Sequence, residues 1–234
     1  MGKTFILALS GSLRTGSTNT AIGFGALATN NDGSDNTAVG HGAGVTTASL
    51  NNASAFGNGA LVNASNKVRI GNSSVTVIEG QVPFTSPSDG RFKFNIRNDV
   101  KGLAFILKLR PVTYQFDVKR FDQFLKTGNI VAAANPISKV SNKNQSAASL
   151  IRRTGFIAQE VDTAAAAAGY NFSGIIKPNN ASEHYSLSYE SFVVPLVKAI
   201  QEQQDMINAM KRQIALLQAN MDRLENGKTK HKKQ

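Results

Sequence analysis

A short repeat fills the first third of the chain and limits what that third can fold into. Aligned on glycine, Asn19-Thr-Ala-Ile-Gly-Phe-Gly-Ala-Leu27 is followed by Asn36-Thr-Ala-Val-Gly-His-Gly-Ala-Gly44 and then by Ala53-Ser-Ala-Phe-Gly-Asn-Gly-Ala-Leu61. Ile22, Val39 and Phe56 recur every 17 positions, and a shorter copy, Val68-Arg-Ile-Gly-Asn72, sets Ile70 14 positions after Phe56. Turn formers such as Thr29-Asn-Asn-Asp-Gly-Ser-Asp35 lie between the copies, so each unit reads as strand, turn, strand, turn. A unit of this size cannot bury its own apolar residue. Stacked units can, and the pattern predicts a β-solenoid in which Ile22, Val39, Phe56 and Ile70 form one inner column. A single column of aliphatics plus alanines is too little to offset an ordering entropy of ~1–2 kcal/mol per residue, so several chains are expected to associate along their faces. A flexible Gly/Asn-rich linker is the alternative, but a linker has no reason to keep an aliphatic in register.

Composition sharpens this division. Of the 20 glycines, 13 precede Phe84, which suggests two architectures joined near residues 80 to 90. Only 7% of the 234 residues are aromatic and none is Trp, so any core is mainly aliphatic. The absence of cysteine excludes disulfides, thiolate metal sites and cysteine nucleophiles. His41, His184 and His231 have no zinc-ligand spacing and read as ordinary surface or loop residues; no metal and no cofactor is expected. No apolar run approaches the ~20 residues that cross a bilayer, so no membrane span is expected, and Met1 to Leu9 makes a poor signal peptide. The net charge of +11 sits mostly between residues 85 and 199, which hold fifteen basic and eight acidic groups. Lys228, Lys230, Lys232 and Lys233 form a basic tail that reads as a solvated, frayed end. A nucleic-acid binder driven by this charge is a rival reading, but the chain has no aromatic stacking platform or groove-reading motif, and no nucleic acid is expected as a partner.

In Thr85-Ser-Pro-Ser-Asp-Gly-Arg-Phe-Lys-Phe-Asn-Ile96, Ser88 stands five positions before Lys93. Serine becomes a useful nucleophile when a base takes its proton, and lysine can be that base once burial or nearby positive charge favours its neutral form. Arg91, Arg97 and Lys101 are candidates to supply such charge. Taken alone, the spacing reads as a polar turn. Downstream, helical periodicity runs through Val100, Leu103, Ile106 and Leu107 until Arg110-Pro111 stops it. Val112 to Val118 alternates as a strand with Val112, Tyr114, Phe116 and Val118 on one face. Thr154 to Ala158 reads as a second strand, followed by a helix from Gln159 to Ala168. Residues 127 to 150, rich in Asn, Ser, Ala and Lys, read as a surface excursion. Glu160, Glu183 and Glu190 are too dispersed for a paired-carboxylate site and read as solvated acids.

From Val193 the apolar residues fall in heptads. Val193, Ile200, Ile207, Ile214 and Met221 occupy one seam position, and Leu196, Met210, Leu217 and Leu224 the other, with Gln203 interrupting. This predicts a coiled coil that Pro195 kinks or starts and that Asn226-Gly227 ends. Ile at one position and Leu at the other favours two strands in parallel dimers, while a polar Gln203 layer suits three helices. An amphipathic helix folded back on its own domain is the alternative.

Two resemblances organise these observations. The repeat from residue 17 to about 75 resembles the head repeats of trimeric surface adhesins and phage fibres, which implies a left-handed β-roll shared by three chains. The blocks Ser88-Asp-Gly-Arg-Phe-Lys93, Gly102 to Ile106, Leu109 to Val112, Gly155 to Val161, and Tyr189 to Gln201 resemble the C-terminal intramolecular chaperone domain of phage endosialidases and tail fibres. That resemblance implies a domain that trimerises, nucleates folding of the fibre before it, and cuts itself off with a Ser-Lys dyad. Carried onto this chain, Ser88 is the nucleophile, Lys93 the base, Pro87–Ser88 the bond cut, and Asp89 and Arg91 support the loop; Gly90 stands where the family often has arginine.

The expected fold is therefore mixed. It comprises a trimeric β-roll or β-solenoid head (12–80) after an N-terminal segment (1–11), a small α+β chaperone domain (81–195), a trimeric coiled-coil helix (196–226) and a basic tail (227–234). The expected function is that of a homotrimeric fibre or adhesin tip, on a virion tail fibre or an extracellular cell surface, with a host-surface or glycan receptor for the head. Its enzymology is one cut in cis. A trimerisation module that never cuts is the alternative.

Overall fold

In chain order, the computed structural model contains β1 (Thr20–Ile22), β2 (Thr37–Val39), β3 (Gly44–Val45), β4 (Ser54–Phe56), β5 (Leu61–Val62) and β6 (Val68–Ile70). There follow α1 (Leu103–Ile106), β7 (Val112–Gln115), α2 (Val118–Thr127), α3 (Ala147–Leu150), β8 (Arg152–Gly155), α4 (Ala158–Ala167), β9 (Ile175–Ile176), β10 (Ser186–Leu187) and α5 (Val193–His231). The structure describes residues 15–127 and 147–231, with backbone alone at 147 and from 225 onward. The expected N-terminal segment 1–11, most of the 127–150 excursion and the side chains of the basic tail and of His231 lie outside the described residues. The chain is mixed α/β with small sheets and a long C-terminal helix, and it folds as two units. One comprises residues up to Ser86 together with Val112–Gly155 and Lys177–Tyr185; the other comprises Pro87–Pro111, Phe156–Ile176 and Ser186 onward.

In the first unit the repeat becomes a stack. β1, β2, β4 and β6 pair in parallel, with Thr20 beside Thr37, Thr37 beside Ser54, and Ser54 beside Val68, so the 17- and 14-residue spacings of the sequence are the strand registers. β3 and β5 form a second parallel pair, Val45 beside Val62. Asparagine explains much of the register. The Asn36 amide N–H donates to the Asn19 side-chain oxygen at 2.9 Å, and the Ala53 N–H donates to the Asn36 side-chain oxygen at 2.9 Å. Asn36 Nδ2 also donates to the Leu50 carbonyl at 2.6 Å, and both Asn36 and Asn30 are fully buried, so these bonds keep polar groups satisfied inside the coil. Gly23 (φ 126°) and Gly40 (φ 133°) turn the corners, and a Cβ on Gly40 would lie 2.6 Å from Gly57 backbone atoms.

One expectation is corrected here. The buried residues are Ala26, Leu27, Ala38, Ala43, Val45, Ala53, Ala55, Ala60 and Val62, whereas Ile22 and Phe56 are each 38% exposed and Ile70 51%. The aliphatic column faces outward. Each strand alternates sides, and successive repeats lie so close that only alanine-sized groups fit on the inner side of β2 and β4.

After the repeat, every residue from Ser74 to Asp99 is exposed, including Val75, Val77, Ile78, Val82, Phe84, Phe92, Phe94 and Ile96. Elsewhere in the first unit, β7 and β8 pair antiparallel with Val112 beside Gly155. The strand expected over Val112–Val118 ends at Gln115. Val118 instead opens α2, where Val118, Phe124 and Leu125 are buried, and the Val118 N–H donates to Ser149 Oγ at 3.3 Å. The expected surface excursion is thus structured at both described ends, in α2 and α3.

The second unit is built around Phe105. Its ring lies 5.3 Å from Tyr170, 5.0 Å from Phe172 and 6.3 Å from Phe192, over Val161, Ala164 and Ala165 of α4. The alanines of α4 leave room for this aromatic cluster. α1 is shorter than its periodicity suggested. It starts at Leu103, whose N–H donates to Glu202 Oε2 at 2.8 Å, and a Cβ on Gly102 would sit 2.7 Å from the Ala199 nitrogen of α5. Pro195 and Ala199 are buried, so one face of the first turns of α5 packs on its own unit. Pro195 stands in the first turn, where its missing N–H costs no helical bond. The helix runs through Asn226-Gly227 to His231 instead of ending there; a single glycine costs a formed helix only about 1 kcal/mol. No helix among the described residues is long and apolar enough to cross a membrane.

Candidate functional site

Ser88 and Lys93 meet because the five-residue spacing is folded into a tight turn. Asp89 is extended and caps the single 3₁₀ turn Gly90–Phe92, accepting the Arg91 N–H at 2.9 Å. The Phe92 N–H donates to the Asp89 carbonyl at 3.2 Å and the Lys93 N–H to the Gly90 carbonyl at 3.1 Å, which closes the turn. Across it, Lys93 Nζ donates to Ser88 Oγ at 2.7 Å. Both side chains are exposed.

Asp89 and Arg91 hold the turn from outside. Arg91 Nε reaches Asp89 Oδ2 at 2.9 Å and Nη2 reaches the same oxygen at 2.6 Å, a two-pronged contact of the kind that fixes geometry as well as charge. The Arg91 side chain and then its backbone N–H hold the Asp89 carboxyl below the usual carboxylate range, and Asp89 raises Arg91 in return. The guanidinium also lies 5.8 Å from the Phe92 ring centre. Gly90 has open space where a Cβ would stand, so a larger residue at this position would leave the turn intact.

All five sequence-derived positions, Pro87, Ser88, Asp89, Arg91 and Lys93, are therefore gathered in one exposed loop. The hydroxyl next to an amine can undergo proton transfer, and Ser88 Oγ is covalently tethered beside the Pro87 carbonyl it would attack. Among the described residues no backbone N–H donates to that carbonyl.

Residues 88–170 match a family of known proteins, the chaperone of endosialidase. The match opens on Ser88, the first residue of the dyad loop, and closes on Tyr170 of the aromatic cluster around Phe105. The match covers about a third of the chain, and this segment is similar to the endosialidase chaperone domain. No curated protein and no solved structure matches the chain.

Two polar clusters escaped the sequence reading. Glu160 stays at the surface but is not isolated; it forms an exposed two-pronged ion pair with Arg110, accepting from Nε at 3.0 Å and from Nη2, and this pair raises Arg110. Glu183 accepts from the Asn179 N–H at 3.1 Å and from the Asn180 side chain at 2.8 Å. His184 is no ordinary loop residue either. Its ring lies 5.0 Å from Phe121 and 6.3 Å from Phe124, and Nδ1 is 3.4 Å from Asn63 Nδ2. Burial, then Lys67 and Arg69 nearby, push its pKa down to about 4. Asn63 and Phe121 reach His184 from 121 and 63 positions away, beyond any local sequence signal. His41 does remain exposed, stacked on Phe24 at 5.6 Å.

Proposed function

We propose that this chain is a homotrimeric fibre or adhesin tip protein whose C-terminal part is an intramolecular chaperone for trimerisation and fibre folding. The endosialidase-chaperone match supports the chaperone role and a phage tail-fibre setting. The observation that carries trimerisation is where the apolar side chains lie. Ile22, Phe56 and Ile70 on the repeat, eight large apolar residues between Val75 and Ile96, and the α5 seam from Val193 to Leu224 are all open to solvent in one chain. At ~1.5–3 kcal/mol for each such side chain buried, the Val75–Ile96 segment alone offers on the order of 10 kcal/mol per chain, comparable to the cost of association. Patches of this extent mark interaction surfaces.

In this reading the parallel 17-residue stack is the β-roll head, and α5 is one strand of a three-stranded coiled coil. The chains meet first at α5. Held there, three repeats face each other at about millimolar effective concentration, and a concentration-dependent pairing of strand edges becomes local. The head presents its surface to a host-surface or glycan receptor.

The chaperone then cuts its own chain. Neutral Lys93 takes the Ser88 hydroxyl proton while Oγ attacks the Pro87 carbonyl carbon. The tetrahedral intermediate collapses with cleavage of the Pro87–Ser88 C–N bond, and the Ser88 amine leaves with a proton. This N-to-O acyl shift leaves an ester, which water hydrolyses to a Pro87 carboxylate and the restored Ser88 hydroxyl. An amine in water at neutral pH is protonated, and packing of neighbouring chains around the exposed loop would favour its neutral form and bring amides to the oxyanion. Coupling of the cut to assembly follows. Once the module is gone, unfolding is no longer the reverse of assembly and the fibre is trapped kinetically.

Denaturing gels of wild type, Ser88→Ala and Lys93→Ala test this. Two fragments from wild type and a full-length band from both variants are expected; one full-length band from all three removes the scission step and favours a module that stays attached. The exposed dyad in a single chain is the observation on the side of that second reading.

A further inference from the structure

The cut at Pro87–Ser88 would sever the backbone between two sets of residues that fold together. One unit joins the repeat, up to Ser86, with Val112–Gly155 and Lys177–Tyr185, which follow the cut in sequence. Their junction is specific. Asn63, only 4% exposed, donates from Nδ2 to the Ser182 carbonyl at 2.7 Å and accepts from Lys67 Nζ at 3.1 Å. The Arg69 guanidinium of β6 lies 5.3 Å from the ring centre of Phe121 on α2, within reach of cation–π attraction, and Asp122 beside that ring attracts the same charge. The His184 ring fits between Phe121 and Phe124 on one side and Asn63 on the other. Lys67 and Arg69 are both about half-buried here, and burial lowers both, so this contact is desolvated, not a touching of wet surfaces.

We propose that α2 and the Ser182–His184 loop form a cap on the last rungs of the repeat that holds the two fragments together after scission, so that cutting alone does not free the head. The inference concerns the products of the cut proposed above, and the surface is the one formed by Asn63, Lys67 and Arg69. Its occupant is the C-terminal fragment, through Phe121, Asp122, Phe124, Ser182 and His184. Without it, the buried Asn63 side chain and the half-buried Lys67 and Arg69 would open to water. Release requires a second event that breaks the polar and aromatic contacts.

The test imposes the cut, so that it does not depend on the chain's own chemistry. A specific protease site is inserted between Pro87 and Ser88 of the full chain, within the fully exposed segment, and the nicked protein is run on native size exclusion at neutral pH with denaturing gels of each fraction. Co-elution of the two fragments is expected, and separate elution overturns the proposal. An Asn63→Ala, Arg69→Gln double variant should weaken retention on the order of tenfold or more, since it removes a buried hydrogen-bonded group and a stacked cation together. Co-elution unchanged in that variant would overturn the assignment to this surface. If the uncut double variant loses native circular dichroism, Phe121→Leu, which removes the ring and keeps apolar volume, takes its place with the same expectation. A wild-type chain that never cuts itself defeats the scission reading and leaves this measurement fully decisive, because the nick comes from the added protease.

Discussion

Gly40, Asn36 and His184 decide most at the scale of single residues. Gly40 combines φ 133° with backbone atoms of the next coil 2.6 Å from any Cβ, so Gly40→Ala is strained and crowded at once. A loss of at least ~2 kcal/mol is expected, read as a lowered midpoint in urea with the denaturant slope unchanged. Asn36→Ala removes the acceptor of the Ala53 N–H and the donor to Leu50, leaving buried groups unpaired; ~1–3 kcal/mol should be lost per orphaned group. His184 gives a pH dependence with a definite sign. Its pKa falls from 6.5 to about 4 on folding, so the folded state resists protonation. Its contribution is complete above pH 6.5 and is lost progressively as pH drops toward 4. The groups facing it are Lys67 and Arg69 from the repeat and Glu183 beside it, with the Phe121 and Phe124 rings of α2 and, around Arg69, Asp122. Chemical denaturation of wild type and His184→Gln between pH 7 and 4 should show the wild type losing more stability on acidification. Equal slopes would contradict the placement of the ring. No local pattern pointed to this residue, because Asn63 and Phe121 reach it from 121 and 63 positions away.

The elements divide into those whose periodicity speaks for itself and those that tertiary contacts redraw. The 17-residue spacing of Ile22, Val39 and Phe56 predicted the strand register, which the pairing of β1, β2 and β4 reproduces. It could not say which side faces in. The alternation Thr20-Ala21-Ile22 allows either, and the narrow coil admits the alanine. α2 was missed because Val118 continues the alternation of Val112 to Phe116, although Val118, Phe121, Phe124 and Leu125 have helical spacing. α1 was overextended because its start depends on Glu202, 99 positions away. The turn that brings Lys93 to Ser88 is local, every bond that builds it joining residues within five positions, yet the spacing alone read as a polar turn and only the family resemblance singled it out. For α5, the exposed seam predicts that Ile207→Asp with Ile214→Asp abolishes association while most helical signal from the second unit persists. Loss of all circular dichroism in the double variant would mean that the seam instead serves the chain's own fold. Glu202→Gln should cost about 1 kcal/mol of stability, read as a lowered thermal midpoint, as the charged partner of the Leu103 N–H is lost.

At the scale of the whole molecule, composition, exposure and family all bear on one question, which is how many chains share the fold. A repeat stack with an interior of alanine, valine, leucine and asparagine offers little apolar burial by itself, and Ile22 and Ile70 lie on the outside. The segment from Ser74 to Asp99 makes no core at all in one chain, yet carries eight large apolar residues and the dyad loop. In the proposed function a helical clamp that gathers three copies would cover both surfaces and connect scission to assembly. The central measurement is the native mass of the uncut Ser88→Ala chain by light scattering through serial dilution, with circular dichroism recorded on the same samples. A folded particle of three times 24.9 kDa, losing its β-structure as it dissociates, is the predicted result. A folded particle of 24.9 kDa that keeps its β-structure on dilution would contradict the account.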